Sequence, residues 1–346
     1  MASARADVAR ATGWGLFIAS LVLAGIYVGS RGLRDFDAAL VPYAGASVFS
    51  AFGLGYRYSM WLTKPPTRLY WRRGWRLFFA PSRVARNLAH LTALFAVNIV
   101  AQRFIEKRSP LRWAAHFFIF WGCILAAAVT FPLSFGWIHF ETTGAALERY
   151  QAFVFGLRVF TFDLASPIAP LVFNVLDISA VLVIAGVSLA LWRRGRDRGA
   201  LAVQQFGADL LPLVMLFAVS ITGVFLTVST HLMRGLHFVF LSQLHAVTVI
   251  FTLLYLPFGK FFHIFQRPAQ LGVAFYKETG TRGEAARCAR CGEAFASRMH
   301  VDDLKQVERE LGIRYEAGGV HYQDVCPVCR RKNLALTQDA LWSRGA

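Results

Sequence analysis

The sequence is poor in charge for its length, and poorest in acidic residues. Only 16% of its 346 residues are charged, and 20 acidic residues stand against 37 basic ones. Hydrophobic residues make up 56% of the chain, and its mean hydropathy is +0.45. So little charge with so much apolar surface excludes an ordinary soluble domain and is typical of a polytopic membrane protein.

Several chemical signatures are missing as well. The sequence has no glycine-rich phosphate loop, no dinucleotide fingerprint and no serine or cysteine nucleophile constellation. It has no internal repeat, which disfavours a membrane transporter built from duplicated halves. The net charge of +17 lies in short basic clusters between apolar runs. Membrane topology explains such clusters better than nucleic-acid binding does, so we expect no nucleic-acid partner.

Six stretches of about 20 residues carry few charges, the length needed to cross a hydrocarbon layer of about 30 Å. They lie at approximately 13–29, 42–63, 112–135, 172–192, 208–229 and 243–265. The first has no clear cleavage site before Arg31 and is predicted to be an uncleaved anchor. A seventh stretch, 87–105, contains several polar side chains and is predicted to be an interfacial amphipathic helix.

Basic residues predict the orientation, because Lys and Arg accumulate in cytoplasmic loops. They are abundant between the second and third runs and between the fourth and fifth, whereas the loops near 30–41, 136–171 and 230–242 are almost balanced in charge. The pattern predicts a protein of the inner (plasma) membrane with both termini in the cytoplasm. Three parts are expected: an anchor span and outer loop (1–41), a five-helix membrane domain (42–267) and a cytoplasmic tail (268–346).

Three of the nine histidines lie in or beside the apolar runs. His116 begins the third run, and His245 and His263 lie at the two ends of the sixth. Their separation of eighteen positions is five turns of a regular helix, which predicts rings on one face about 27 Å apart. One histidine would then lie near each membrane surface.

Histidines on facing helices of a bundle can hold haem, because neutral imidazole binds iron strongly. The predicted topology places His116 and His263 at similar depth near the cytoplasm, so we predict that they are the axial ligands of one haem. The alternative for each is a polar anchor at the interface. Ionisable groups in membrane helices are nevertheless functional by default.

A second haem near the outer surface would need a partner for His245. His139 is favoured, followed by His237, and His231 is also available. On an unbroken helix His139 would point about 140° away from His116. Pro132 could bend the chain enough to reorient it. An ordinary, hydrated polar role stays open for these three histidines.

Two segments resemble a known family of membrane cytochrome b subunits, the respiratory nitrate reductase gamma-subunit and heterodisulfide reductase type. The stretch from His245 to His263, with Pro257-Phe258-Gly259-Lys260 before the second histidine, is similar to that family's terminal helix. The stretch from Arg112 to Gly122, which contains His116, resembles its histidine-bearing second helix. The resemblance covers roughly residues 42–266 and leaves the first span and the tail as additions.

The resemblance implies two b haems, electron exchange with quinone or quinol, and a cytoplasmic iron-sulfur or molybdenum-containing partner. His116 and His263 would then bind the cytoplasm-proximal haem, and His245 the distal one. The sequence departs from nitrate-reductase-type members at Ala126, where they carry a second histidine. The distal haem therefore needs another ligand, such as His139, or is absent.

Position suggests two further roles. Lys260 lies beside His263 and could orient a quinone oxygen or counter a haem propionate, or it could simply extend to the membrane surface. Gly122, with Cys123 and Ala126 to Ala128 close by, could admit a flat porphyrin or allow close helix packing.

The tail contains two Cys-x-x-Cys pairs, Cys288 with Cys291 and Cys326 with Cys329. Two such turns can close a tetrahedral site of four thiolates, which predicts a metal ribbon. Structural zinc is the expected metal, and a rubredoxin-like iron centre is the second choice. Between the pairs, residues 302–311 have a helical pattern.

The sequence therefore predicts an all-α integral membrane fold: a six-span helical bundle, with a five-helix cytochrome b core and one N-terminal span, plus a small cytoplasmic four-cysteine ribbon. The expected function is an electron-transfer subunit of an oxidoreductase complex, with membrane lipid and quinone as further partners. Two alternatives remain, a six-span transporter and a non-catalytic membrane scaffold with a zinc-binding tail.

Overall fold

A computed structural model of the chain describes residues 2–144, 147–317 and 319–345. The chain is 74% helical. The helices are α1 Ala2–Gly29, α2 Val41–Thr63, α3 Pro65–Phe78, α4 Val84–Phe95, α5 Arg103–Glu106, α6 Pro110–Ser134, α7 Ile168–Phe173, α8 Val175–Arg196, α9 Arg198–Val203, α10 Leu211–His231, α11 Phe238–Tyr255, α12 His263–Arg282, α13 Arg298–Glu310 and α14 Pro327–Gly345. The strands are β1 Ile138–Thr143, β2 Arg149–Val154, β3 Leu157–Asp163, β4 Ala285–Arg287, β5 Ala294–Ser297, β6 Glu316–Ala317 and β7 Val320–His321.

Six of the helical stretches are long and apolar enough to cross a membrane. They are Ala4–Gly29, Ala38–Thr63, Pro110–Ser134, Val175–Arg196, Phe206–His231 and Phe238–Tyr255. The predicted six-span helical fold is confirmed, and the architecture is that of a multi-pass membrane protein. The segment 87–105 is not among the six, and forms instead α4, a π-helical segment Ala96–Val100 and a break before α5.

The third span, α6, has a defined beginning and packs closely on α8. Ser109 caps its first turn by accepting from the N–H of Arg112, and Pro110 occupies the first helical position, where proline is favoured. A Cβ added to Gly122 would lie 2.6 Å from Cγ2 of Val183 on α8. Of the two roles left open for Gly122, the structure shows close packing of two helices.

A small antiparallel sheet occupies much of the segment between α6 and α8. Its strand order is β1-β2-β3, and it pairs His139 with Phe153 in register. Tyr150 and Phe162 pack with Phe173 of α7 to form an aromatic cluster beside the sheet. The sequence reasoning treated this stretch only as a loop.

The final apolar run is not one regular helix, and the prediction of five uninterrupted turns between His245 and His263 is wrong. α11 ends at Tyr255, a 3₁₀ turn covers Lys260–Phe262, and a new helix begins at His263. Proline has no N–H to donate and clashes with the preceding turn, so Pro257 accounts for the break. The two histidines therefore lie on separate helices.

The chain divides into two compact units, residues 1–59 with 96–264, and residues 60–95 with 265–346. The second unit thus contains the basic segment after span two together with the tail. At its centre lies the buried carboxylate of Asp303, which accepts from the hydroxyl of Tyr276 at 2.7 Å and pairs with Arg73 at 2.5 Å. The helix predicted at 302–311 is present as α13.

Candidate functional site

The structure brings two predicted ligands together: the rings of His116 and His263 lie with their centroids 6.3 Å apart and their planes at 64°. His116 projects from the second turn of α6, and His263 is the first residue of α12. The break after Pro257 therefore determines where the second imidazole begins its helix. This pair is the candidate cofactor site of the first unit.

The spacing of the two rings suits one metal held between them. A metal–imidazole nitrogen bond is about 2 Å long and each ring centre lies about 1 Å beyond its nitrogen, so two imidazoles on opposite sides of one ion have centres roughly 6 Å apart. The observed 6.3 Å agrees. The donor set, two imidazoles in an apolar bundle, is also the one that b-type haem uses.

Both rings are oriented by an acceptor at Nδ1. Nδ1 of His116 lies 2.8 Å from Oε1 of Gln102, and Nδ1 of His263 lies 2.6 Å from the carbonyl oxygen of Lys260. A carbonyl oxygen can only accept, so both contacts fit Nδ1 as the donor, and in a neutral ring the lone pair then lies on Nε2. Metal-binding histidines have this arrangement, because an acceptor at the far nitrogen fixes the tautomer and raises the basicity of the ligand.

Gln102 is buried and has an unusual backbone conformation. Its φ of 53° and ψ of 35° lie in the left-handed region, which non-glycine residues rarely adopt. The carbonyl of the preceding residue, Ala101, accepts from the indole N–H of Trp113 on α6 at 2.8 Å. Strained backbone of this kind often lies at functional sites. Gln102 is one of the polar side chains of the stretch 87–105, and the sequence did not reveal its contact with His116.

Lys260 lies in the turn before His263 and makes two different contacts, one through its backbone and one through its side chain. Its carbonyl accepts from His263, while its ammonium group pairs with Asp209 at 2.6 Å. Asp209 lies in a π-helical segment, Phe206–Leu210, and is also 3.6 Å from Arg194. The hydroxyl of Tyr255 donates to Gly207 in the same segment at 2.7 Å. The turn is thus tied to the start of α10, a connection that the sequence did not reveal.

His245 lies on α11 and faces α10. Its Nδ1 is 3.0 Å from Oγ1 of Thr222, a buried hydroxyl that also donates to the Ala218 carbonyl at 2.7 Å. Gly223 leaves room beside the ring, since an added Cβ would lie 3.4 Å from Cε1 of His245. Within the described part of the chain no second histidine ring contacts it.

The predicted partner, His139, lies on β1 rather than on an extension of α6. Its ring stacks on Phe153 with centroids 4.8 Å apart, and its Nδ1 is 3.8 Å from Asp35. Arg31 donates to both carboxylate oxygens of Asp35 at 2.7 Å and holds the pKa of that carboxyl below its usual value. His231 ends α10 and His237 precedes α11, and both are exposed.

In the second unit the four predicted cysteines converge. Their sulfur atoms all lie within 4.8 Å of one another, and those of Cys291 and Cys326 are 3.8 Å apart. Thiolates at the usual bond length of about 2.3 Å from a tetrahedral zinc are about 3.8 Å apart. The cluster can therefore hold a metal ion, as the spacing of the two pairs predicted.

Backbone N–H groups support the sulfurs. The N–H of Cys326 donates to the sulfur of Cys288 at 3.2 Å and that of Cys329 to the sulfur of Cys326 at 3.4 Å. The bond from Cys326 is the main reason that the pKa of Cys288 falls to about 6. Burial and the neighbouring sulfurs raise the pKa of Cys329 to about 12. Closely spaced thiolates repel one another, and a bound cation would relieve that repulsion.

Comparison with protein-family models, curated proteins and solved structures finds no match to this chain.

Proposed function

We propose that this chain is the b-type cytochrome subunit of a membrane oxidoreductase and passes electrons between quinone and a soluble partner subunit. The supporting observation is the pair His116 and His263, whose rings are 6.3 Å apart and whose Nδ1 atoms each contact an acceptor. Two unrelated polar histidines would need neither this separation nor an oxygen acceptor at each Nδ1.

In this proposal each residue of the site has a physical task. The imidazoles of His116 and His263 would hold haem, which when bound would supply one-electron transfer. The Gln102 side chain and the Lys260 carbonyl would hold the proton on each Nδ1 and restrain the rings from turning. The Lys260–Asp209 pair fixes the turn from which His263 starts.

Three further assignments complete the proposal. The basic loops support a cytoplasmic orientation of the site, where an iron-sulfur or molybdenum subunit would dock. His245 is kept as the candidate ligand of a second haem, but the predicted partner His139 lies on β1 against Phe153 and is not brought to it. Lys260 remains a candidate for contact with a quinone oxygen, in competition with its pairing to Asp209.

For the four-cysteine cluster we propose structural zinc, with iron as the alternative. Four thiolates with no open ligand position are typical of structural zinc sites, and the second pair leads directly into α14. Metal analysis of the purified full-length protein by mass spectrometry distinguishes the two, and an iron centre would also colour the protein.

A difference spectrum of the purified full-length protein tests the cytochrome assignment. We expect a b-type alpha band in the reduced-minus-oxidised spectrum, and we expect His116→Ala and His263→Ala each to abolish the contribution of this haem. His90→Ala is the control, because His90 belongs to the second unit and contacts Glu278 and Phe275. A colourless wild-type protein that keeps its zinc would instead support the scaffold alternative.

A further inference from the structure

One face of α3 is exposed and carries arginines next to aromatic rings. Arg72, Trp75, Arg76 and Phe79 follow one another at helical spacing and are all exposed, Trp75 to 45% and Phe79 to 58%. The Trp75 and Phe79 rings stack with centroids 5.3 Å apart and planes at 12°. We call these four residues the Arg-Trp face.

The opposite side of α3 is already used for packing inside the second unit. Arg73 pairs with Asp303, Tyr70 packs edge-on against Tyr276 at 4.9 Å, and Gly74 is buried. The side chain of Asn87 on α4 donates to the last carbonyls of the helix, including that of Phe78 at 3.0 Å. The rotation of α3 is therefore fixed, and the Arg-Trp face is the side that these contacts leave exposed.

The chain segment that carries this face is strongly basic. Residues 64–86 contain seven basic side chains and no acidic one. Glu310 pairs with Arg68 at 2.6 Å, with Arg72 as a weaker, more distant influence on its pKa. Within the described residues no acidic group comes within ion-pair distance of Arg72 or Arg76. An anionic partner is needed to balance this face.

The position of α3 in the chain favours the bilayer as that partner. The span α2 ends at Thr63 and α3 begins at Pro65, so a single residue, Lys64, separates the helix from a membrane-crossing segment. Arginine and tryptophan on one helical face are characteristic of helices that lie in the interface of a membrane. A basic cluster next to a membrane span attracts anionic lipids.

We propose that the Arg-Trp face binds the phosphate headgroups of anionic lipid. Arg72 and Arg76 donate to phosphate oxygens through their planar guanidinium groups, and Trp75 and Phe79 lie among the headgroups beside them. The basic segment then acts as an in-plane anchor that holds the second unit at the membrane. This inference depends on the membrane fold and not on haem.

Lipid titration of the full-length protein in detergent, followed by native mass spectrometry, tests the proposal. The probes are phosphatidylglycerol and the zwitterionic phosphatidylcholine. Each arginine near an anionic surface contributes about a five-fold preference, so Arg72→Gln/Arg76→Gln should lower the preference for phosphatidylglycerol by about 25-fold. Phosphatidylcholine binding should change little. Trp75→Ala/Phe79→Ala should weaken the binding of both lipids to the same extent.

The matched control is Arg331→Gln/Lys332→Gln, which removes the same charge from exposed positions on α14. It should keep the wild-type preference, and the pair Arg72→Lys/Arg76→Lys, which retains both charges, should lose much less of it than the glutamine pair. An unchanged preference in the glutamine pair overturns the proposal, and so does an equal loss in the lysine pair, which would point to structural damage. Unchanged lipid binding with loss of a copurifying protein would assign the face to a protein partner and overturn it too.

Discussion

At the scale of single residues, the two proposed axial histidines differ in how their Nδ1 protons are held. His263 donates to a backbone carbonyl, which no substitution at Lys260 removes, whereas His116 donates to the side chain of Gln102. The site can therefore be weakened on one side without touching either ligand. Gln102 also has a left-handed backbone conformation, which non-glycine residues rarely adopt.

Replacing Gln102 by Leu should lower haem affinity by about 10- to 100-fold, the usual effect of losing a partner that orients a metal ligand. The His116 ring would lose its acceptor and the fixed tautomer. Haem titration of the apoprotein, followed at the Soret band, measures the change. Gln102→Glu keeps an acceptor and should retain haem with a lower reduction potential, because a carboxylate raises the basicity of the ligand. Wild-type affinity in Gln102→Leu would remove Gln102 from the site.

Asp35 provides a pH dependence at the other end of the first unit. Arg31 holds the pKa of Asp35 below its usual value, so the folded state prefers the ionised carboxylate. Its stabilising contribution is present above the unfolded pKa of about 3.9 and is lost as pH falls through the folded value. Thermal unfolding in detergent between pH 6 and pH 3 should show a smaller acid-induced loss in Asp35→Asn than in the wild type. Parallel curves would contradict this.

At the scale of helices, the side chains of the site come from places where regular helix stops. Gln102 follows a π-helical segment, Asp209 lies within another, and His263 follows a 3₁₀ turn. Mean hydropathy over windows of about 20 residues detects the six apolar runs, because a membrane span has that length. It does not detect a local change of helix type. The sequence therefore singled out His116 and His263, whose rings the structure brings together, but placed His245 and His263 on one helix.

The contact between α2 and the turn offers an element-scale test. A Cβ on Gly53 would lie 2.8 Å from the ring of Pro257, whereas one on Gly45 of the same helix meets nothing within 4 Å. Gly53→Ala should therefore destabilise the protein by about 1 to 3 kcal/mol through overpacking, and should weaken haem binding by displacing the turn before His263. Gly45→Ala is the matched control and should change neither. Unfolding temperature and the Soret titration report the two effects.

The strands between α6 and α8 show a different limit of sequence reasoning. Balanced charge and the absence of a long apolar run exclude a span, but they do not distinguish a loop from a short sheet. His139 was considered as a residue near the end of a bent helix, and the sheet register instead places it opposite Phe153. The antiparallel pairing of β1 with β2 decided the position of His139, and no apolar run in the sequence signals that pairing.

At the scale of the whole molecule, the predicted tail domain proved to include more of the chain. Arg68 and Arg73, from the basic segment after span two, pair with Glu310 and Asp303 of α13. The sequence showed both the positive cluster and the acidic helix, but their pairing requires contacts across more than 200 positions. The arginines that the sequence explained by membrane orientation alone therefore also form ion pairs inside the second unit.

The cysteine cluster should control the stability of that unit. Structural zinc binds zinc-finger peptides with about 10 to 16 kcal/mol at neutral pH, and that binding free energy is also folding free energy. The hydrophobic cluster at the cysteines is small: Val325 and Phe295 pack with three of them. So small a core cannot fold the ribbon unaided. Without metal, the turns at Cys288 and Cys326 would have to keep several thiols close together with nothing to bind them.

Cys326→Ser should accordingly abolish stoichiometric metal binding and make the tail sensitive to trypsin, since Cys326 lies at 3.8 Å from the sulfur of Cys291 and also receives the N–H of Cys329. Metal analysis and the rate of proteolysis measure the two effects. Cys123→Ser is the control, because Cys123 lies in α6 of the first unit, apart from the cluster. It should keep one metal ion per chain and resist trypsin like the wild type. If Cys326→Ser retained both properties, the four sulfurs would not form a metal site, and the ribbon would have to be stabilised by the ion pairs of α13 instead.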